Sequence, residues 1–216
     1  MSISPRLYEG LPVRIAYVGA SGAVGAYVVA ELSRRGHQVT AITTHPDAVA
    51  ELPGVTAQFG DANDGPALTA LLSGHDVAVT SIQFAKTDPE TLIEAVKASA
   101  VPRYVVAGGS GTLHAPGTTT RLMDSPTFPA NFAAPAAAAA RFFDRLLLET
   151  ELDWAYLSPP PGFAPGPATG TFRLGLDEML VGPDGTATVS YGDYAIAMAD
   201  EIERPKHHRR RFTIGY

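Results

Sequence analysis

The chain has no cysteine, a single tryptophan among 216 residues, and only 18 % charged residues. Without cysteine there can be no disulfide framework, no thiolate metal site and no thiol nucleophile. No apolar run approaches membrane-spanning length, and Met1 to Pro12 holds no apolar signal-peptide core. The expectation is therefore a cytoplasmic protein without a membrane segment. Basic residues are outnumbered by acidic ones, 16 to 22, which leaves a net charge of −6. That balance argues against a general nucleic-acid surface. No Gly-x-Ser-x-Gly elbow and no P-loop occurs. His207-His208 makes a poor metal site, because adjacent side chains diverge and no carboxylate or cysteine cluster joins them. No metal is expected. Lys206 to Arg211 forms a basic run, read as a solvated loop before a final strand rather than a phosphate or nucleic-acid site.

What is present is organised around Val13 to Gly25. A β-branched run enters three glycines, Gly19, Gly22 and Gly25, at G-x-x-G-x-x-G spacing; then Val24, Val28 and Leu32 fall on one helical face. Strand, glycine turn and helix are the context of a dinucleotide fingerprint. Gly19 permits the tight turn, Gly22 admits a pyrophosphate to the backbone, and Gly25 lets helix and strand pack closely. The helix N-terminus offers unpaired N–H groups to an anion.

The rest of the chain alternates strand and helix. Strands are predicted at Val39–Thr43, Val55–Phe59, Val77–Ser81, Tyr104–Ala107 and Trp154–Ser158. A first helix ends at Arg34-Arg35-Gly36, a short one spans Pro46 to Leu52, and Asp64 caps another through Leu72. Asp88-Pro89-Glu90 opens a helix to about Ala100, and a further helix runs from near Ala134 to Glu149. Between them, residues 112–130 form an irregular loop of the kind that is functional or mobile. Beyond Pro159, Glu178–Val181 and Thr186–Val189 flank Gly182-Pro183-Asp184-Gly185 as a hairpin. Ser190 and Asp193 cap a helix to about Glu203, and Arg211–Gly215 is a last strand. The pattern predicts one α/β domain over 1–216: a Rossmann-like doubly wound parallel sheet, with 1–12 as an arm. Residues 159–216 are expected to form a small substrate-side portion of hairpin, helix and strand.

The stretch Gly19-Ala20-Ser21-Gly22-Ala23-Val24-Gly25 resembles the G-A-T/S-G-x-x-G turn of atypical short-chain dehydrogenase/reductases. Phe59-Gly60-Asp61-Ala62, Val106 to Gly111, Leu152 to Pro159, Thr171 to Gly175 and Val189 to Ala195 narrow the resemblance. They point to the NmrA-like group that includes NADH–flavin reductases, over residues 13 to 216. The resemblance implies an NAD(P)-binding oxidoreductase acting on a small molecule. It would place Gly19, Ala20, Ser21, Gly22, Ala23 and Val24 around the pyrophosphate, and Thr43, Thr44 and His45 at the adenosine ribose. Asp61 and Ala62 would meet the adenine, Ser81, Ile82 and Gln83 the middle of the dinucleotide, and Gly108, Gly109 and Ser110 the nicotinamide. Pro159 to Phe163 would close over that end. Strand two ends in Thr43-Thr44-His45-Pro46-Asp47, with neither an acid for NAD nor an arginine for NADP directly after it. The uncharged donors lean toward NADP.

The second departure from the family concerns chemistry. None of the eight tyrosines is followed four residues later by lysine, so the Tyr-x-x-x-Lys acid of related enzymes is missing; Phe132 stands roughly in the tyrosine's place. Hydride transfer to a flavin, quinone or other conjugated ring does not need that dyad. Ser110 is a polar candidate beside the nicotinamide, or a turn serine. His114 is a candidate proton donor, with a reference pKa of about 6.5, or a solvated loop histidine. Phe132 and Arg173 are candidate substrate contacts, and Arg121 with Asp124 could hold an anionic substrate but reads rather as a surface pair. Trp154 and Phe172 read as core. Two other readings stay open: a dinucleotide-binding redox sensor without turnover, and an isomerase or dehydratase that uses the same fold.

Overall fold

A computed structural model describes residues 11–216. The arm expected over residues 1–12 therefore lies almost wholly outside the described residues. The first strand, β1 (Arg14–Val18), leads through the glycine turn into α1 (Ala23–Arg34) and β2 (Gln38–Thr43). There follow β3 (Val55–Phe59), α2 (Gly65–Leu72), β4 (Val77–Thr80), α3 (Pro89–Ala98), β5 (Arg103–Ala107), α4 (Ala130–Leu147) and β6 (Trp154–Ser158). The remainder holds three short strands, β7 (Gly162–Ala164), β8 (Arg173–Gly175) and β9 (Thr188–Ser190), then α5 (Tyr191–Glu203) and β10 (Arg210–Gly215).

Eight strands form one sheet in the order β3-β2-β1-β4-β5-β6-β10-β8, parallel except where β8 runs against β10. The order reverses between β1 and β4, and ligands bind open α/β sheets at such a switch point, outside the carboxyl ends of the strands.

The helix boundaries follow from local chemistry. Asp64 and Asp88 accept the backbone N–H groups of Ala67 (3.2 Å) and Thr91 (2.8 Å), so α2 and α3 start where an acid can satisfy an orphan donor. α1 ends at Gly36, whose φ of +82° only glycine adopts without cost. The sheet's pleat sends alternate side chains to opposite faces. Ile15, Tyr17, Val77, Val79, Ala155 and Leu157 pack with α1 and α5. Ala16, Val18, Ala78, Tyr104, Val106, Trp154 and Tyr156 face the core that holds α2, α3 and α4. Trp154 is core, as its sequence context suggests, and Phe172 is half-buried against the first of these clusters. Among the described residues no helix is long and apolar enough to cross a membrane.

Four expectations are corrected. Pro46–Leu52 is a single 3-10 turn, Pro46–Ala48, rather than a short helix. α4 begins at Ala130 and carries Pro135 in its second turn, because a proline so near the N-terminus forfeits just one intrahelical bond. The Gly182–Gly185 turn forms, with Gly182 N–H on Thr186 O at 2.7 Å, but its arms do not pair as a hairpin. Thr188–Ser190 instead runs parallel to Gly162–Ala164, where a Cβ on Gly162 would lie 2.6 Å from the Thr188 methyl. On the other side, Glu178 bridges to His114. Finally, the basic run before β10 is not all solvated. Arg211 is 4 % exposed, lies 4.9 Å over the Phe143 ring, and donates to Asp177 at 2.7 Å and to the Thr112 carbonyl. His207 is held by Glu201 at 2.8 Å. The last strand is thereby locked into the main sheet beside β6, not set apart in a subdomain.

Candidate functional site

The glycine turn is wedged between its neighbours. Gly19 has a φ of +86°, and a Cβ there would stand 2.1 Å from the carbonyl oxygen of Ser81, just past the end of β4. A Cβ on Gly25 would lie 2.4 Å from the Gly19 carbonyl, so this glycine is required by the turn itself rather than by the β-strand. Gly22 differs. Its Cβ would meet only the Gly19 oxygen, at 3.3 Å, and otherwise point into open space. Gly22 is the N-cap of α1 and supplies no capping side chain, and the first turn carries no acid. The start of α1 thus presents unsatisfied N–H groups and an uncompensated positive dipole end over a cradle that a side chain would fill. That arrangement fits a pyrophosphate.

At the end of β2, the Thr43 hydroxyl is turned inward. It shares a hydrogen bond of 2.6 Å with Ser21 and accepts the His45 N–H at 3.1 Å. Thr43 therefore braces the glycine turn. Thr44 and His45 are exposed and bonded to each other at 2.9 Å. Asp61 is exposed at the outer edge, its carboxylate accepting the Asn63 N–H, with Ala62 half-buried beside it. Gln83 is exposed and follows Ser81 and Ile82 toward the centre.

Beyond β5 the strand passes into Gly108-Gly109-Ser110-Gly111 against two neighbours. A Cβ on Gly108 would stand 2.1 Å from the Tyr156 ring, and Gly109 N–H donates to the Tyr156 hydroxyl at 3.0 Å. A Cβ on Gly111 would lie 2.8 Å from the Ala136 methyl. The alanine run of α4 is therefore more than helix propensity: it lets the helix approach the glycine loop.

A cleft of about 530 Å³ opens here, running from Val24 past Ser81, Ile82, Gly108, Gly109 and Ser110. Its far wall is Phe84, Phe128, Phe132 and Phe163 with prolines, alanines, Leu122 and Met179. Among the described residues, none of its lining side chains is charged. Of the sequence candidates, Ser110 and Phe132 line the cleft, and Phe132 is 57 % exposed at its mouth. His114 does not line it; its backbone bridges Arg121 and Glu178. Arg173 does not either, since its guanidinium donates to the carbonyls of Val181 (2.7 Å) and Tyr216 (2.5 Å) and fastens the chain's last residue. Pro159 is buried and does not line the cleft, whereas Pro161 and Phe163 do. Arg121 pairs with Asp144 of α4 at 2.5 Å rather than with Asp124.

Phe84, Phe128, Tyr194 and Met179 were not singled out by sequence. They carry no motif, and only the fold brings them to one wall. Tyr194 was hidden by its helix-cap context; its hydroxyl donates to Leu157 O at 2.8 Å beneath the cleft. Burial drives its phenol well above the ordinary range, with the nearby Tyr17 and Tyr156 rings adding to the effect.

Comparison with known proteins agrees with this geometry. A family model described as NAD(P)H-binding matches residues 19–205. The uncharacterized protein YwnB of Bacillus subtilis is 33 % identical over 208 residues, covering 94 % of this chain and 98 % of its own length. The solved structure of a "putative epimerase" from Bacteroides thetaiotaomicron is 36 % identical with a TM-score of 0.89, covering 95 % of this chain and 97 % of that one. That of a "putative NADH-flavin reductase" from Streptococcus pneumoniae is 30 % identical with a TM-score of 0.78, covering 94 % and 99 %. The chain belongs to the NAD(P)H-binding family and is a Rossmann protein of the atypical short-chain dehydrogenase/reductase type.

Proposed function

We propose that the protein is an NAD(P)H-dependent reductase whose acceptor is a flat, uncharged conjugated ring such as a quinone or a free flavin ring. The observation that carries this reading is the charge-free aromatic cleft continuous with the dinucleotide turn. When bound, the nicotinamide supplies a hydride to the acceptor. The chain's own part is binding and orientation. The start of α1 receives the pyrophosphate, the Gly108-Gly109 backbone, packed against Tyr156 and Ala139, lies beneath the nicotinamide, and Phe84, Phe132 and Phe163 stack the acceptor and exclude water. The Ser110 hydroxyl has no protein hydrogen bond among the described residues, so it is free to donate to an acceptor carbonyl. No side chain of the wall has the acidity for general-acid catalysis, and the acceptor's proton comes from solvent. Exposed Thr44 and His45, with no carboxylate directly after β2, support NADP over NAD. The S. pneumoniae relative's name supports a reductase.

The test is titration with NADPH and NADH, followed by loss of the reduced-nicotinamide absorbance with riboflavin, its phosphorylated form FMN, and a short-chain quinone. Turnover with riboflavin or quinone, exceeding that with FMN, is the expected result. Tight binding without turnover would favour the sensor reading, and product change without cofactor consumption the isomerase reading. Absence of dinucleotide binding would overturn the assignment.

A further inference from the structure

The most unusual polar group near the cleft is one that the proposed chemistry leaves unused. Tyr17 lies in the middle of the sheet with none of its surface exposed, and its hydroxyl has no hydrogen-bond partner. Among the described residues, every other fully buried tyrosine is satisfied: Tyr104 by Thr80 at 3.0 Å, Tyr156 by Gly109, and Tyr194 by Leu157. A buried hydroxyl left unpaired costs free energy that phenylalanine would avoid, and strand β1 is otherwise apolar at its buried positions.

The surroundings suggest what the hydroxyl is for. β1 and β4 pair in parallel, with Tyr17 opposite Val79 and Val18 opposite Thr80. By the pleat, Ser81 continues on the face that carries Val79 and Tyr17. Ser81 is fixed by its own backbone, its N–H donating to Val18 O at 2.9 Å and its carbonyl packed against Gly19. Ser81 also lines the cleft. Burial pushes the Tyr17 phenol up and the neighbouring Ser81 hydroxyl draws it partly back, but the two form no hydrogen bond of normal geometry. Ser81 thus stands between a buried donor that lacks an acceptor and a cleft that takes a ligand.

We propose that Tyr17 is a positioning residue for the dinucleotide: its hydroxyl donates to Ser81 Oγ once Ser81 Oγ–H is engaged by the bound ligand. A serine hydroxyl is both donor and acceptor, so spending its proton on a ligand leaves lone pairs for Tyr17 and polarises the second bond. The ligand in this way repairs a defect carried by the free protein. Ser81 touches the ligand and Tyr17 acts through it. This rests on the dinucleotide-site reading above.

The experiment compares Tyr17→Phe, Ser81→Ala and the double variant for thermal stability and for NADPH affinity. Adenosine 2′,5′-bisphosphate, which lacks the nicotinamide half, is titrated alongside. Tyr17→Phe is expected to leave the melting temperature of the free protein unchanged or raise it by about 2–6 °C. NADPH binding is expected to weaken roughly three- to tenfold, with the bisphosphate unaffected. In the double variant the loss should not exceed that of Ser81→Ala alone, because the two act in series. A fall in melting temperature or a failure to fold in Tyr17→Phe would show the hydroxyl to be bonded in the free protein and overturn the proposal. Unchanged NADPH affinity, additive losses, or equal weakening of the bisphosphate would overturn it too. If the unaltered protein binds neither NADPH nor NADH, the dinucleotide-site reading itself has failed; that outcome is read on a different sample from Tyr17→Phe.

Discussion

Replacing Gly22 by valine separates binding from folding. The Gly22 backbone, with φ −69° and ψ 160°, is extended and open to any residue. A Cβ there has one close neighbour, the Gly19 oxygen at 3.3 Å, so the valine methyls project outward from the start of α1. The folding cost is the difference between glycine and valine as N-caps, about 0.5–1 kcal/mol. For a chain of this length that lowers the melting temperature by about 1–4 °C. The binding cost is larger. Two charge-assisted hydrogen bonds from the α1 N–H groups, at about 1.5–3 kcal/mol each, would be blocked together with part of the dipole term. About 4 kcal/mol corresponds to roughly a thousandfold in Kd. The assay is calorimetric or fluorescence titration with NADPH, with circular dichroism to verify folding. A folded variant that binds within about threefold of the original would refute the placement of the pyrophosphate. Gly25→Ala supplies the contrast. Its Cβ would sit 2.4 Å from the Gly19 carbonyl and 2.9 Å from that of Ala20, so the turn must move and the variant should be poorly folded, read by loss of a cooperative melt.

Other perturbations address the frame and the cleft. Asp193 is buried and accepts hydrogen bonds from Thr169 N–H (2.8 Å), Gly170 N–H (2.8 Å) and the Tyr216 hydroxyl (2.7 Å). Burial pushes its carboxyl up, but the donors from Tyr216, Thr169 and Gly170 outweigh that and hold it below the ordinary range. Because the folded value lies below the unfolded one, near 4, the stabilisation is complete above pH ~4 and is lost as pH falls through the folded value. Asp193→Asn should lower neutral-pH stability by about 2–3 kcal/mol and flatten the acid limb of the melting curve. An unchanged acid limb would contradict this. Arg103 and Glu201, 4 % and 3 % exposed and 2.7 Å apart, lie at the sheet end opposite the cleft. Glu201→Gln should destabilise by about 3 kcal/mol in a denaturant melt while leaving NADPH affinity intact. Phe132→Asp, at the cleft mouth, should raise the acceptor KM several-fold with little change in NADPH Kd; equal effects on both would remove Phe132 from the acceptor site.

What the sequence by itself determined is what short range decides. The glycine turn, the aspartate caps of α2 and α3, the C-terminal glycine of α1 and the apolar runs of β1, β4, β5 and β6 are settled by residues within a turn or two of one another. Once βα units alternate, a parallel sheet with its ligand edge at the strand ends follows. Three-residue strands carry too little pattern to name a partner, so β7 and β9 were legible only after Gly162 and Thr188 had met. Salt-bridge choice is likewise a matter of distance: Arg121 found Asp144, 23 residues away, instead of Asp124. Arg211 reads as a member of a charged run, and becomes a buried clamp because β10 inserts beside β6 and brings it to Asp177 and Phe143. The cleft shows the same division. Its glycine floor is a local motif, whereas its aromatic wall comes from three separate segments, Phe84, Phe128 with Phe132, and Phe163. Aromatic side chains at those positions serve core and cleft equally well in sequence. Only the packing of α4 against the glycine loop decides which of them stay uncovered.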